Sequence, residues 1–167
     1  CIRDRGQAMR SLIFTGLLVL FHSGSCWAET PDNTQALMAA VTQGQVQRVE
    51  DLLAQGGDVN ATNGAGRSLL HLAAFNGNEQ TVRILLAMGA DPDAVGPRGS
   101  TPVMDASAFG HLAVVRLLAQ RGADLNKADQ SGATALALAN RGKHGEVASL
   151  LSELGATEKA EDSQDAP

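Results

Sequence analysis

Apolar residues come along this chain in short bursts separated by polar punctuation. Between Leu112 and Gln120, Val114, Val115, Leu117 and Leu118 fall at helical spacing, which predicts a helix with a one-sided apolar stripe. A shorter burst precedes it. Thr101-Pro102 opens that burst, small residues follow (Ala106, Ser107, Ala108), and Gly110 closes it. Thr suits the cap of a helix and Pro its first position, so a first helix is expected here, with small side chains that let neighbouring helices approach closely. Gly122 breaks the second helix where a left-handed residue caps a helix end. Asp129-Gln130-Ser131-Gly132 then reads as a turn.

The pattern recurs every 33 residues. Gly56, Gly89, Gly122 and Gly155 keep that step, as do Leu52, Leu85, Leu118 and Leu151, and Ala40, Ala73, Ala106 and Ala139. Asp58, Asp91 and Asp124 follow it, and no insertion interrupts it from Asn33 to Ala156. One pair of short helices cannot bury its apolar faces alone, whereas stacked copies can. The expected fold is an all-α repeat solenoid of four stacked units, about 33–61, 62–94, 95–127 and 128–156, within a domain spanning 29–156.

The stretches SLLHLAAFNGNEQTVRILLAMGADPDA and STPVMDASAFGHLAVVRLLAQRGADLNK resemble the ankyrin repeat, with its T-P-L-H-x-A-A helix, G-H junction and V-V-x-L-L-x-x-G-A-D second helix. The resemblance implies helix-turn-helix units joined by hairpin loops. It also implies that His71 hydrogen-bonds between neighbouring loops and that His111 and His144 act as structural caps. The departures lie at the ends. The first unit has Gln35-Ala36 in place of T-P, and the last has Thr134-Ala135 there, Lys143 where Gly is usual, and Ser149 and Ser152 on its second helix. More polar ends suit capping repeats. The tail from Thr157 is acidic, lacks large apolar residues and is expected to be disordered.

The N-terminus has a different character. Residues 1–8 precede the first Met and are read as an upstream extension. From Met9, a basic Arg10, an apolar run Leu12–Phe21 and the small residues Cys26 and Ala28 follow the plan of a signal peptide, 9–28, cleaved after Ala28. That run is shorter than the ~20 residues a membrane span needs. A periplasmic or secreted location follows, with acylation on Cys26 as the alternative; together with the repeats, the chain resembles small exported ankyrin proteins of bacteria. Cleavage removes both Cys and the one Trp, as well as Arg3, Asp4, Arg5 and Arg10, which shifts the formal charge from −5 to −7. An acidic domain is a poor match for nucleic acid.

No P-loop, G-x-S-x-G or H-E-x-x-H motif occurs, and Gly64-Ala65-Gly66 and Gly96-Pro97-Arg98-Gly99 read as turns. Equivalent histidines in stacked units should lie ~10 Å apart, the scale of helix packing, too far to share an ion with bonds of about 2 Å. The chain is expected to be no enzyme and to carry no cofactor or metal. Asp105 and Ser107 are read as half-exposed surface.

By the resemblance, partners contact the hairpin tips and the exposed side of the first helices, which together form a concave face. Carried over position by position, this selects Arg67, Phe75, Asn76, Arg98, Ser100, Ala108, Phe109, Gln130 and Arg141. Aromatic and Arg side chains are the types enriched at binding hot spots. The expected function is a monomeric protein-binding module that regulates or assists another exported protein, one with exposed acidic groups. The alternative is a secreted effector or toxin antagonist.

Overall fold

In a computed structural model of the chain, residues 33–158 are described. The signal segment 9–28, Cys26 and the tail beyond Glu158 lie outside the described residues. The described chain forms eight α-helices in consecutive pairs. These are α1 (Asn33–Thr42) with α2 (Val46–Ala54), α3 (Leu69–Phe75) with α4 (Glu79–Ala87), α5 (Pro102–Ala108) with α6 (Leu112–Gln120), and α7 (Ala135–Arg141) with α8 (Gly145–Glu153). Among the described residues there is no strand. Isolated bridges at Thr62–Ser68 and Ala128–Thr134 close two of the hairpin tips.

The pairs stack side by side, with α1, α3, α5 and α7 in one row and α2, α4, α6 and α8 in a second. The 33-residue step explains why. Leu70 and Val103, and Ala73, Ala106 and Ala139, are all buried at the seam of the first row. Val82, Leu85, Val114, Val115, Leu118, Val147 and Leu151 fill the layer beneath the second. Each such Leu or Val adds about 1.5–3 kcal/mol when removed from water, and the alanines keep the first helices close. Ser107 belongs to this seam. The sequence reading put it on a half-exposed surface, yet it is fully buried, its hydroxyl donating to the Val103 carbonyl at 2.7 Å one turn back. That local bond satisfies the polar atom, so Ser serves as a small core residue.

Backbone hydrogen bonds to Asp and Asn side chains run along the loops from one pair to the next. Asp58 Oδ1 accepts from Asn60 N, Asn60 Oδ1 from Asp91 N, Asp91 Oδ1 from Asp93 N and Asp93 Oδ1 from Asp124 N, all at 2.9–3.0 Å. Asp124 Oδ1 accepts from Asn126 N at 3.0 Å and Asn126 Oδ1 from Thr157 N at 2.8 Å. The repeated Asp is therefore half of a relay tying each loop to its neighbour. The relay corrects the expected start of the disordered tail. Thr157 continues the ladder and accepts from Thr134 Oγ1 at 2.6 Å, and Glu158 accepts from Asn140 Nδ2 at 2.7 Å. The ordered domain thus extends past Ala156.

A second relay crosses the helix ends. His111 Nε2 lies 3.0 Å from the Phe75 carbonyl, and His144 Nε2 lies 3.1 Å from that of Ala108. Each ring donates to a carbonyl left open at the end of the preceding first helix. Asn78 fills the same place one unit earlier, donating to the Val41 carbonyl at 3.2 Å. The histidines are caps, as the resemblance implied, but they cap the neighbouring helix and not the one they precede. Gly77 must stay without a side chain because a Cβ there would stand 2.5 Å from His111 Nδ1. Lys143 takes the left-handed conformation, φ 60°, that glycine adopts at the equivalent Gly77 and Gly110.

Candidate partner-binding surface

The face to be tested consists of the hairpin tips and the outward side of the first helices. At the tip before α3, Asn63 Oδ1 accepts from the N–H groups of Ala65 and Arg67, both at 3.0 Å. The tip before α7 is built alike, with Asp129 Oδ1 accepting from Ser131 and Ala133 N–H at 2.8 and 3.0 Å. Burial pushes the Asp129 carboxyl up, but the Ser131 hydroxyl, these two N–H groups and the positive charge of Arg141 outweigh it and hold it below the usual carboxylate value.

The tip before α5 differs. Gly96 stands where Asn63 and Asp129 stand, and it has no side chain to organise the turn. A Cβ at Gly96 would fall 2.6 Å from His71 Nε2. The chain closes instead through Pro97 and a left-handed Arg98 with φ 58°. A non-glycine residue in that region costs on the order of 1–2 kcal/mol. The Arg98 carbonyl accepts from Gln130 N at 2.8 Å, joining two tips directly.

His71 is the reason for this geometry. It is fully buried, and with Ser68 it forms a capping box at the start of α3. The Ser68 N–H points at Nδ1, which therefore accepts, so the proton sits on Nε2 and is donated to the Ser100 carbonyl at 3.1 Å. The expected bond between loops is present. In α5 the equivalent residue is Met104, fully buried and without donors. Thr101 was expected to cap α5 through its side chain, but it makes no cap bond, and its buried hydroxyl has no partner among the described residues. A thioether in place of an imidazole removes the group that Ser68 finds in His71.

The structure brings Arg67, Phe75 and Phe109 together. The phenyl rings meet edge to face, centroids 4.4 Å apart and planes at 63°. The Arg67 guanidinium carbon sits 5.2 Å from the Phe75 ring centre. Phe109 remains 50% exposed and Phe75 half-buried, so neither belongs to the buried core. Beside them on α5 lies Asp105, half-buried, with Oδ2 closed to solvent and unpartnered. Burial raises its carboxyl above the ordinary value of 3.8, and the nearby His71 and Arg67 oppose this without cancelling it. Sequence reasoning placed Asp105 on a half-exposed surface and missed the enclosed oxygen. The available signal was the 33-residue step, which puts Leu72 and Leu138 at the same register.

The remaining residues spread around this cluster. Asn76 is exposed, its amide 3.5 Å from the Thr42 carbonyl. Arg98, Gln130 and Arg141 are exposed, and no side-chain ion pair joins any of them among the described residues. Ser100 and Ala108 are half-buried, and their carbonyls are occupied by His71 and His144. Among the described residues, no His, Cys, Asp and Glu side chains group to hold a metal ion, and no helix is long and apolar enough to cross a membrane.

Paired helices in two rows, two hairpin tips fixed by Asx side chains and a relay between loops define a solenoid of helical-hairpin repeats. The family model for ankyrin repeats (three copies) matches residues 11–96, 37–129 and 70–162. The chain belongs to the ankyrin-repeat family, whose members are generic protein–protein interaction modules. A comparison with curated proteins gave no match.

Proposed function

We propose that this chain is an exported protein-binding module that holds another exported protein against its tips and first helices, and thereby regulates or assists it. The observation that carries the reading is the cluster of Arg67, Phe75 and Phe109. A stack of helices presents two adjacent phenyl rings, one of them 50% exposed, with a guanidinium against the first. Phe side chains of the fold's interior would be buried, and ones of no use to a partner would leave apolar surface in water at a cost. Export rests on the signal-peptide plan of residues 9–28, and the protein nature of the partner rests on the family.

The test is a cross-linked pull-down from a periplasmic fraction, with the full chain carrying a C-terminal tag. A second bait carries Phe75→Ala and Phe109→Ala, with its fold checked by circular dichroism. The expected result is a bait whose N-terminus is Glu29 and one captured protein that the folded double variant loses. Capture that survives the double variant would move the binding site elsewhere, and a bait retained in the cytoplasm would remove export from the reading.

A further inference from the structure

The carboxylate of Asp105 stands apart from the hydrogen-bond networks of the described residues. No hydrogen bond or ion pair reaches it among the described residues, and its Oδ2 is closed to solvent. It is not part of the Asx relay or of the tip turns, where Asp and Asn side chains accept backbone N–H groups. At the same register the helices packed on either side, α3 and α7, carry Leu72 and Leu138. An apolar residue at position 105 would complete that row at no electrostatic cost. A carboxylate there is a cost to the fold, because burial disfavours its charged form and the nearby His71 and Arg67 offset this only in part.

Its surroundings specify what would offset it. Asp105 shares α5 with Phe109's end of the helix, beside the Phe75–Phe109 pair. Phenyl faces attract cations as well as apolar groups, and Arg67 already shows this by lying over Phe75. Arg67 attracts the carboxylate from a distance but forms no ion pair with it, so no cation of the described residues is paired with Asp105. The other positive groups of this surface are exposed, with Arg98 on a tip and Arg141 at the end of α7.

We infer that Asp105 is a specificity-determining residue that receives an Arg or Lys side chain of the partner protein, seated beside Phe75 and Phe109. This rests on the binding surface proposed above and sharpens it. The partner segment carries one basic residue for Asp105, and its acidic groups meet Arg98 and Arg141. The cation completes a charge-assisted pair in a partly desolvated site, where such pairs discriminate strongly against neutral side chains.

The test uses a random peptide library displayed on phage and selected against the full chain. The affinity of a selected peptide is then measured for the unaltered chain and for Asp105→Asn, Phe109→Ala and Glu50→Gln. Glu50 lies exposed on α2, in the other helix row, and controls for the general acidity of the protein. The expected peptides share one Arg or Lys. Replacing it with norleucine, or making Asp105→Asn, weakens binding by about tenfold or more, and the two changes together weaken it no further. Glu50→Gln leaves affinity within about twofold, since exposed charges contribute little. Peptides that need Phe109 but bind Asp105→Asn as well as the unaltered chain overturn the role of Asp105 and leave the surface standing. Peptides indifferent to both Phe109→Ala and Asp105→Asn, or a library that yields no binder, overturn the surface as well.

Discussion

The second and third helix pairs occupy equivalent places in the stack, yet they are built on different polar logic. In the second, Ser68 and His71 satisfy one another at the start of α3, and the ring reaches across to the Ser100 carbonyl. In the third, Thr101 and Met104 stand in the same places, and the Thr101 hydroxyl is buried without a partner. The consequences pass to the next tip in each case. The imidazole above α3 leaves no space for a side chain at position 96, so that tip is Gly-Pro-Arg-Gly with Arg98 strained into the left-handed region. Above α5, Met104 coexists with Asp129, whose carboxylate organises an unstrained turn. Strain and satisfied polar groups have been exchanged between neighbours, and the pair with more unsatisfied atoms is the one that carries Asp105 and Phe109. A solenoid permits this because each unit answers mainly to its neighbours.

The largest effect that would break this comparison is loss of the imidazole. His71→Ala removes a fully buried ring and leaves the Ser68 cap and the Ser100 carbonyl without their partner. We expect urea denaturation to show a loss of about 3 kcal/mol, with Asn63 and its turn less affected than the tip at 96–100. A loss below about 1 kcal/mol would mean that the ring is not the centre of this junction.

The coupling between His71 and Gly96 comes next. Gly96→Ala has no forbidden backbone angle to blame, with φ at −98°, yet its Cβ meets the His71 ring at 2.6 Å. It should cost about 2 kcal/mol alone. In a His71→Met background, which copies the third pair, the same change should cost much less, and a double-mutant cycle would read the difference as coupling. Additive costs would disprove the steric link.

Asp105→Leu, which copies Leu72 and Leu138, should raise stability at pH 7 by about 1 kcal/mol. The sign of its pH dependence follows from the raised carboxyl. The unfolded group titrates near 3.8 and the folded one above it, so the penalty for charge appears as pH rises through that interval and is absent below 3.8. The gain from Asp105→Leu should therefore shrink on acidification. Asp129 is the opposite case. Its carboxyl is lowered, so its contribution is present above 3.8 and lost as pH falls through the folded value. Unfolding curves of the Asp105→Leu and Asp129→Asn variants between pH 3 and 7, about the range in which carboxylates titrate, should diverge in opposite directions.

The smallest effect is at the strained tip. Arg98→Gly removes the penalty of a side chain at φ 58°, and glycine's greater freedom in the unfolded chain offsets part of the gain. A rise of about 0.5–1 kcal/mol is expected. If binding of a partner falls at the same time, the strain is explained by what the Arg98 side chain contacts.

Sequence alone determined the period, the helix pairs and the core positions that repeat at every step. The reason is physical: a repeat of 33 residues carries its own template, and Leu52, Leu85, Leu118 and Leu151 can only face a common interior if the units stack. The incomplete burial of Phe75 and Phe109 was legible for the same reason, since register places them at the ends of neighbouring first helices. What tertiary structure decided were matters of a few ångströms between different units. Whether Thr101 finds a partner depends on Met104 three residues on. Whether Ser107 is surface or core depends on how closely α3 and α7 approach it. Whether Thr157 is tail or domain depends on Asn126 having an acceptor to offer. The enclosed oxygen of Asp105 belongs with these. Its chemistry is set by what neighbouring helices fail to provide, and a pattern along one chain records which residues are present but not which contacts are missing.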